Sequence, residues 1–298
     1  MNLIVLPEDG LSPIVAAIKR ARSTIDTTIF RLDRPEIEKA LASAVGRGVH
    51  VRALVAHTNR GGEKRLRKLE QSLLAAGVTT CRTGDDLARY HGKMLIVDGR
   101  TLFVMLFNYT ALDLKSRSFA IATRQRSLVT EATRLFEADV ARQPYTTSTP
   151  GLVVSPETAR KQLGDFLSKA KKELCIYDPK VSDGPMVRLL EERVKKGVDV
   201  RIIGSLGGRA KQLRAEKLKS LRLHGRCIIR DGRQAFLGSQ SLRGLELDSR
   251  REVGLIVRES RIVKKLRDVF ERDWATTSAA KDADRKLKEE EYEEAASA

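Results

Sequence analysis

The chain alternates short apolar runs with amphipathic stretches, a pattern typical of an α/β protein. Apolar, β-branched runs at residues 23–30 and 49–55 predict two strands, and residues 34–45 between them carry apolar side chains at helical spacing. A strand, a helix and a strand at this spacing form a βαβ unit, which requires a parallel sheet. Helices are also expected from Ser12 and over 128–141. We therefore expect a sheet covered by helices.

The same order of elements occurs twice. After a Pro- and Thr-containing segment the pattern resumes, and Gly197 to Arg201 repeats Gly48 to Arg52 almost residue for residue. Repetition on this scale indicates two copies of one structural unit. We predict an N-terminal half at 1–143, a linker at 144–150, a C-terminal half at 151–275 and a charged tail at 276–298 that is disordered or a frayed helix.

Comparison of the halves gives three further expectations. Ser155-Pro156 resembles Ser12-Pro13 and predicts a helix start. Residues 204–220 correspond to the basic segment 58–76 and predict a basic loop followed by a short helix. The two basic segments are expected to bind an anionic membrane or another polyanion. Their cations are Arg60, Lys64, Arg65, Arg67 and Lys68 in the first half, and Arg209, Lys211, Arg214, Lys217 and Lys219 in the second.

The charge of the chain indicates an anionic partner. Fifty-six Lys and Arg residues exceed 39 acidic residues, which gives a net charge of +17. Nucleic acid, an anionic lipid surface and a phosphorylated small molecule all fit this charge. Three cysteines without metal-ligand spacing suit a reducing compartment. No apolar run approaches the ~18 residues of a membrane span, and the first residues lack a secretory signal. We expect a cytoplasmic protein.

Each half places a histidine at the start of an apolar strand. His91 and Lys93 are two residues apart, so they face the same side of a strand. Asp98 lies seven residues after His91 and faces the other side, where a turn or a neighbouring backbone is its expected partner. The second half repeats this arrangement with His224, Arg226 and Asp231. Duplicated histidine strands predict one site between the halves.

The residues after each histidine extend the motif. The pattern His-x-Lys-x4-Asp-x6-Gly-Ser-x-Asn, present twice, resembles that of the phospholipase D superfamily, which includes phospholipases, phospholipid synthases, endonucleases and tyrosyl-DNA phosphodiesterases. The first half keeps Asn108 but has Met105-Leu106 in place of Gly-Ser. The second half keeps Gly238-Ser239 but has Arg226 for Lys and Ser241 for Asn. The resemblance implies a duplicated α-β-α sandwich, with two mixed or parallel sheets related by a pseudo-twofold axis.

The resemblance also implies a reaction. One histidine attacks phosphorus to form a phosphohistidine, and the other protonates the leaving oxygen and later activates water or an alcohol. Which histidine attacks stays open at this point. No metal or other cofactor is implied. The implied catalytic residues are His91, His224, Lys93 and Glu252, and the implied phosphate-binding residues are Lys93, Asn108, Arg226, Ser239 and Ser241.

A carboxylate is expected beside each histidine. Glu252 lies 28 residues after His224, where the family usually carries its supporting acid, and is therefore predicted to support His224. The equivalent stretch of the first half, 116–119, contains no acid. His91 then lacks support unless Asp113 or a residue from elsewhere reaches it. His50 and His57 are expected to have no catalytic role.

Three functions fit these residues. A phospholipid head group is the leading substrate, and the reaction is hydrolysis or transfer. Nucleic acid is the second, favoured by charge, although an aromatic content of 5% offers few surfaces for base stacking. The third is a catalytically inactive module that binds phosphate or a polyanion, because neither half keeps the full motif.

Overall fold

The computed structural model describes residues 1–58, 63–147, 149–208 and 210–280, without the side chain of Glu63. The first half consists of β1 (Asn2–Leu6), α1 (Ser12–Arg20), β2 (Thr24–Ile29), α2 (Pro35–Gly46), β3 (His50–Val55), α3 (Glu63–Ala75), β4 (Thr79–Arg82), β5 (Arg89–Tyr90), β6 (Met94–Val97), β7 (Thr101–Met105), α4 (Ala111–Leu114), β8 (Ser116–Thr123) and α5 (Arg126–Ala141).

The second half repeats this order, except that none of its described helices corresponds to α3. Its elements are β9 (Leu152–Ser155), α6 (Ala159–Ser168), β10 (Glu173–Val181), α7 (Gly184–Lys195), β11 (Asp199–Leu206), β12 (Ala215–Glu216), β13 (Arg222–Leu223), β14 (Arg226–Arg230), β15 (Gln234–Gly238), α8 (Gly244–Asp248), β16 (Arg250–Val257) and α9 (Ser260–Trp274). The tail prediction falls largely on residues 281–298, which lie outside the described residues.

The described strands form two mixed sheets of eight strands each. The first has the order β1-β8-β7-β6-β2-β3-β4 with β13 beside β8, and the second β12-β11-β10-β14-β15-β16-β5 with β9 beside β16. The βαβ units give the parallel pairs β2–β3 and β10–β11, while β6, β7 and β8 and their counterparts run antiparallel. The duplicated α/β fold expected from the repeat is confirmed.

Apolar side chains bury both faces of each sheet. Helices α1, α2 and α3 pack on the outer face of the first sheet, and α6 and α7 on the outer face of the second. Helices α5 and α9 contribute to one central core with the inner faces of both sheets, in which Phe119 contacts Tyr177 and Tyr177 contacts Phe270. None of the described helices is long and apolar enough to cross a bilayer.

The two halves exchange short strands. The two-residue strand β5 belongs to the first half but pairs in parallel with β16 of the second sheet. Strand β13 of the second half pairs in the same way with β8 of the first sheet. Each exchanged strand immediately precedes a motif histidine. Both histidines are therefore carried to the boundary between the halves.

Two local predictions are wrong. Residues 210–220 form no helix, because Ala215 and Glu216 pair beside Ile202 and Ile203 as an edge strand. Ser155-Pro156 does not start a helix either: Ser155 ends β9, and α6 begins only at Ala159. The intervening turn is closed by the Thr158 hydroxyl, which bonds the Val154 backbone.

The two motif aspartates stabilise the sheets and do not contribute to the site. Asp98 has a left-handed backbone (φ 54°), and its carboxylate accepts backbone N–H groups of Arg22, Ser23 and Thr24. Asp231 does the same at the start of β10, where it accepts from 171, 172 and 173. This is the structural role expected from their position. These backbone bonds lower the pKa of Asp98, although partial burial opposes them.

Replacing Asp98 by alanine should lower the free energy of unfolding by about 2 kcal/mol at pH 7, because three N–H groups lose a charged acceptor. The pKa of Asp98 is depressed by folding, so this stability is present above about pH 4 and is lost as the pH falls through the folded-state pKa. Urea unfolding at pH 7 and pH 3 measures both effects. Exposed Asp85→Ala is the control, and equal loss in both variants would contradict this role.

Candidate functional site

The backbone of the second half holds His91. The N–H groups of His91 and Gly92 donate to the Arg251 carbonyl at 2.7 and 2.9 Å, which continues the pairing of β5 with β16. A Cβ atom on Gly92 would lie 2.8 Å from Cγ2 of Val253. A side chain at position 92 would therefore crowd Val253, which explains the glycine directly after this histidine.

The first half holds His224 in the same manner. The N–H groups of His224 and Gly225 donate to the Arg117 carbonyl at 3.1 and 3.0 Å. A Cβ atom on Gly225 would lie 3.0 Å from Cα of Ser118. Each histidine is thus fixed by the strand of the opposite half.

Glu252 contacts His91 and not His224. Its Oε2 atom lies 2.8 Å from Nδ1 of His91, and both side chains are buried. The prediction that Glu252 supports His224 is therefore wrong. The physical reason is the strand exchange: Glu252 follows Arg251 on β16, the strand against which the segment before His91 pairs.

Asp113 provides the carboxylate for His224. Its Oδ1 atom lies 2.7 Å from Nδ1 of His224. Its Oδ2 atom accepts the Asn108 backbone N–H, the Asn108 amide and the Thr110 hydroxyl, each at 2.9 Å. In β8 the position that corresponds to Glu252 is Ser118, whose buried hydroxyl has no hydrogen-bond partner in the described part of the chain. The carboxylate that contacts His224 therefore comes from the short helix α4 and not from β8.

Two buried cations lie beside the histidines. Lys93 Nζ is 2.8 Å from Nε2 and 3.0 Å from Nδ1 of His91. Burial lowers the pKa of Lys93 to about 7, and the charge of Glu252 opposes this shift. Arg226 donates through Nε to the Ser241 hydroxyl at 3.0 Å, and its Nη2 lies 3.6 Å from Glu246. Both cations predicted from the motif are therefore at the site.

Burial favours neutral imidazoles. It lowers the pKa of His91 well below its usual value, and the charges of Lys93 and Arg226 lower it further. It lowers the pKa of His224 to about 4, although Asp113 opposes this shift. Burial also raises the pKa of Glu252, against the effect of Lys93. The pKa of Asp113 is lowered despite burial, because His224 and Asn108 bond its ionised form.

The other predicted phosphate ligands support these groups. Asn108 bonds Asp113, and its Oδ1 atom is buried without a partner among the described residues. The Ser241 hydroxyl accepts from Arg226. Ser239 is fully buried, and its hydroxyl bonds the backbone N–H of Val253 at 3.1 Å and its carbonyl at 3.3 Å. Ser239 therefore fixes the strand of Glu252.

Sequence reasoning missed one acid. Glu246 on α8 accepts the Ser241 backbone N–H at 2.7 Å, and arginines 243 and 250 lie 3.2 Å from its Oε1 atom. It follows Ser241 by five residues, as Asp113 follows Asn108. That equal spacing was the available signal. Helices α4 and α8 are thus equivalent, and each directs one acid into the site.

A large open cavity lies elsewhere. It has a volume of about 1060 Å³ and is bounded by Thr123 and Arg258, at the opposite ends of β8 and β16 from the histidines. The histidine site is more enclosed, since His91 is 8% exposed and Lys93 2% exposed.

Known structures share this fold. A polyphosphate kinase from Porphyromonas gingivalis superposes with a TM-score of 0.75 at 17% identity over 92% of this chain and 50% of that protein, so the chain spans half its length. A phosphatidylserine synthase from Haemophilus influenzae superposes with a TM-score of 0.70 at 10% identity over 92% of this chain and 86% of that one. Nuc, a phospholipase D family member from Salmonella typhimurium, covers 49% of this chain at 21% identity with a TM-score of 0.44.

Sequence comparison gives the family. No protein with a curated description has a significant match to the chain. The model of the family described as cardiolipin synthase, phospholipase D-like domain, matches residues 14–140 and 163–274, which include both histidine motifs. The chain therefore belongs to this family of the phospholipase D superfamily.

Proposed function

We propose that the chain is a phosphodiesterase of the phospholipase D type that hydrolyses or transfers a phospholipid head group. The reaction type is supported by two crossed histidine–carboxylate contacts. His91 contacts Glu252 of the second half, and His224 contacts Asp113 of the first half. An imidazole whose Nδ1 lies beside a carboxylate presents its Nε2 for chemistry, and here both histidines have this arrangement. One nucleophile and one acid–base group are what a double displacement at phosphorus requires.

His91 is the nucleophile in this proposal. Its Nδ1–H donates to Glu252, which leaves the lone pair on Nε2. Burial and the charges of Lys93 and Arg226 lower the pKa of His91, so it is neutral at the start of the reaction. Lys93 lies 2.8 Å from Nε2, and an arriving phosphate draws this ammonium onto its own oxygens and frees the lone pair.

His224 is the acid and base. Burial keeps His224 neutral in the free site, but Asp113 and the negative charge of the bound phosphodiester stabilise its imidazolium form, so His224 takes up a proton from solvent when the substrate binds. The Nε2 lone pair of His91 forms the bond to phosphorus as the ester oxygen leaves and takes a proton from Nε2 of His224. Water, or an acceptor alcohol, then gives its proton to His224 and attacks phosphorus, and His91 leaves. Both histidines return to their initial protonation states.

The remaining residues stabilise charge. Lys93 and Arg226 face the increased negative charge on the phosphoryl oxygens in the transition state, in a site from which water is largely excluded. Glu246 and Ser241 hold the guanidinium of Arg226 in place. Arg226 keeps the positive charge that lysine usually supplies at this position. Its contacts with Ser241 and Glu246 fix the orientation of its larger side chain.

The substrate class that we propose is a phospholipid. A phospholipid is supported by the family, whose description names cardiolipin synthase, and by the fold shared with a phosphatidylserine synthase. Nucleic acid is the second candidate, because three arginines, 222, 243 and 250, surround the acids of the site and provide positive charge for flanking phosphates.

A substrate panel in EDTA tests this proposal. Phosphatidylglycerol and phosphatidylcholine vesicles, with and without glycerol as an acceptor alcohol, are compared with plasmid DNA, and His91→Ala is the control. We expect head-group release or exchange that the variant lacks. DNA cleavage without lipid turnover would favour the nuclease, and inactivity on both substrates with retained phosphate binding would identify an inactive module. Activity only with added metal would contradict the mechanism.

A further inference from the structure

Exposed apolar side chains flank the site. Among the described residues, the exposed large hydrophobic side chains are Leu74, Leu112 and Leu245, with exposed fractions of 54%, 55% and 42%. Leu74 lies on α3, whereas Leu112 lies on α4 and Leu245 on α8. Single exposed leucines are ordinary on protein surfaces. Here two of the three occupy equivalent positions in the two halves.

Each of these two leucines is next to an acid of the site. Leu112 precedes Asp113, which contacts His224, and Leu245 precedes Glu246, which contacts Ser241 and lies near Arg226. The acids are 3% and 1% exposed, so each short helix directs an acid inward and a leucine outward. Each leucine therefore lies on the solvent side of a short helix whose next residue is an acid of the site, so both leucines stand at the rim of the site.

Cations accompany both short helices. Lys115 is exposed and directly follows α4. The Arg222 side chain is 43% exposed and lies 3.1 Å from Asp113, and the Arg243 side chain is 34% exposed and lies 3.2 Å from Glu246. The partner acids are buried while these cations reach solvent. The outer surface of the rim therefore combines two exposed apolar side chains with three cations that reach solvent.

We propose that this rim surface, formed by Leu112, Leu245, Lys115, Arg222 and Arg243, docks the site onto a bilayer that contains anionic phospholipid. Leucines enter the boundary between head groups and acyl chains, and the cations bind lipid phosphates. A nucleic acid would contact the cations but would gain nothing from the leucines. The proposal rests on a phospholipid being the substrate. It adds how the site is oriented toward the bilayer that contains this substrate.

Vesicle sedimentation tests the docking without catalysis. In a His91→Ala background, Leu112→Ser/Leu245→Ser is compared with Leu74→Ser, which removes an equally exposed leucine away from the site. We expect the double variant to bind vesicles with phosphatidylglycerol at least about tenfold more weakly, and Leu74→Ser to bind normally. Pure phosphatidylcholine vesicles should bind all variants weakly. Thermal unfolding confirms that each variant is folded, since the leucines are exposed.

An environment-sensitive fluorophore gives a second readout. It is attached to Leu112→Cys or Leu74→Cys in a Cys81→Ser background, because Cys175 and Cys227 are buried. We expect a blue shift and quenching by lipids brominated in the acyl chain at position 112 only. Weak vesicle binding by the parent protein, or equal binding by the double variant, would overturn the proposal. So would an equal loss of binding to a DNA oligonucleotide.

Loss of docking and failure of the proposed function are distinguishable. A soluble short-chain phosphodiester needs no bilayer, so the double variant with an intact His91 should hydrolyse it at the parental rate. If the parent protein did not hydrolyse the soluble phosphodiester, the proposed function would be rejected. The vesicle-binding result would be unaffected. Hydrolysis lost only in the double variant would place the leucines in the site and overturn the docking role.

Discussion

His91→Ala is expected to lose phosphodiester hydrolysis by at least about 10⁴-fold with every leaving group, because no other group forms the covalent intermediate. His224→Ala should lose roughly 10²- to 10⁴-fold with an alkyl ester, whose oxygen needs a proton to depart. With a nitrophenyl ester the leaving oxygen needs no proton, so the first step of His224→Ala should be nearly as fast as in the parent. Rapid-mixing measurement of nitrophenolate release compares the two variants.

The control for this prediction is His50→Ala, since His50 is exposed at the start of β3, beside the turn that Asp98 binds, and should leave all rates unchanged. The assignment of roles would be contradicted if the nitrophenyl ester rescued His91→Ala instead. It would also be contradicted if neither variant showed a dependence on the leaving group.

Asp113→Asn should shift the pH dependence of kcat/KM. Asp113 raises the pKa of His224, which burial otherwise lowers, so its loss lowers that pKa further. His224 acts as an acid in the first step, and less of it is then protonated at a given pH. The basic limb of the profile should move to lower pH by about 1 to 2 units. The nitrophenyl ester should show a much smaller change, because its departure needs no acid.

Glu252→Gln is the matched control for the crossed contacts. Glu252 contacts His91, so this variant should lose rate without moving the basic limb. A shift of that limb in Glu252→Gln, with none in Asp113→Asn, would show that Glu252 supports His224, as its spacing in the sequence suggested.

The sequence predicts the repeated fold because its signals are local. Apolar, β-branched runs and amphipathic stretches mark most of the strands and helices in both halves. The short strands β5, β12 and β13 have no such signal, because two residues become a strand only beside a partner distant in the chain. The short helix predicted within the basic segment 204–220 is wrong for the same reason, since Ala215 and Glu216 become an edge strand only beside Ile202 and Ile203.

The sequence predicts which residues form the candidate site, but not which carboxylate contacts which histidine. The motif identifies His91, Lys93, His224 and Arg226, which the structure brings together. It does not reveal that Glu252 crosses to His91, because strand exchange depends on tertiary contacts rather than on spacing. The motif also assigned Ser239 to phosphate, whereas its hydroxyl bonds the Val253 backbone. Side-chain direction at a sheet edge follows from packing, which a linear motif does not contain.

The central claim is that His91 becomes phosphorylated while His224 transfers protons. His224→Ala lacks the base that activates water, so after brief reaction with a nitrophenyl phosphodiester the covalent intermediate should persist. Mass spectrometry under alkaline conditions, which preserve phosphohistidine, should find the phosphoryl adduct on the peptide that contains His91, and none in His91→Ala. An adduct on His224 in His91→Ala, or turnover by the parent without any histidine adduct in His224→Ala, would contradict the account.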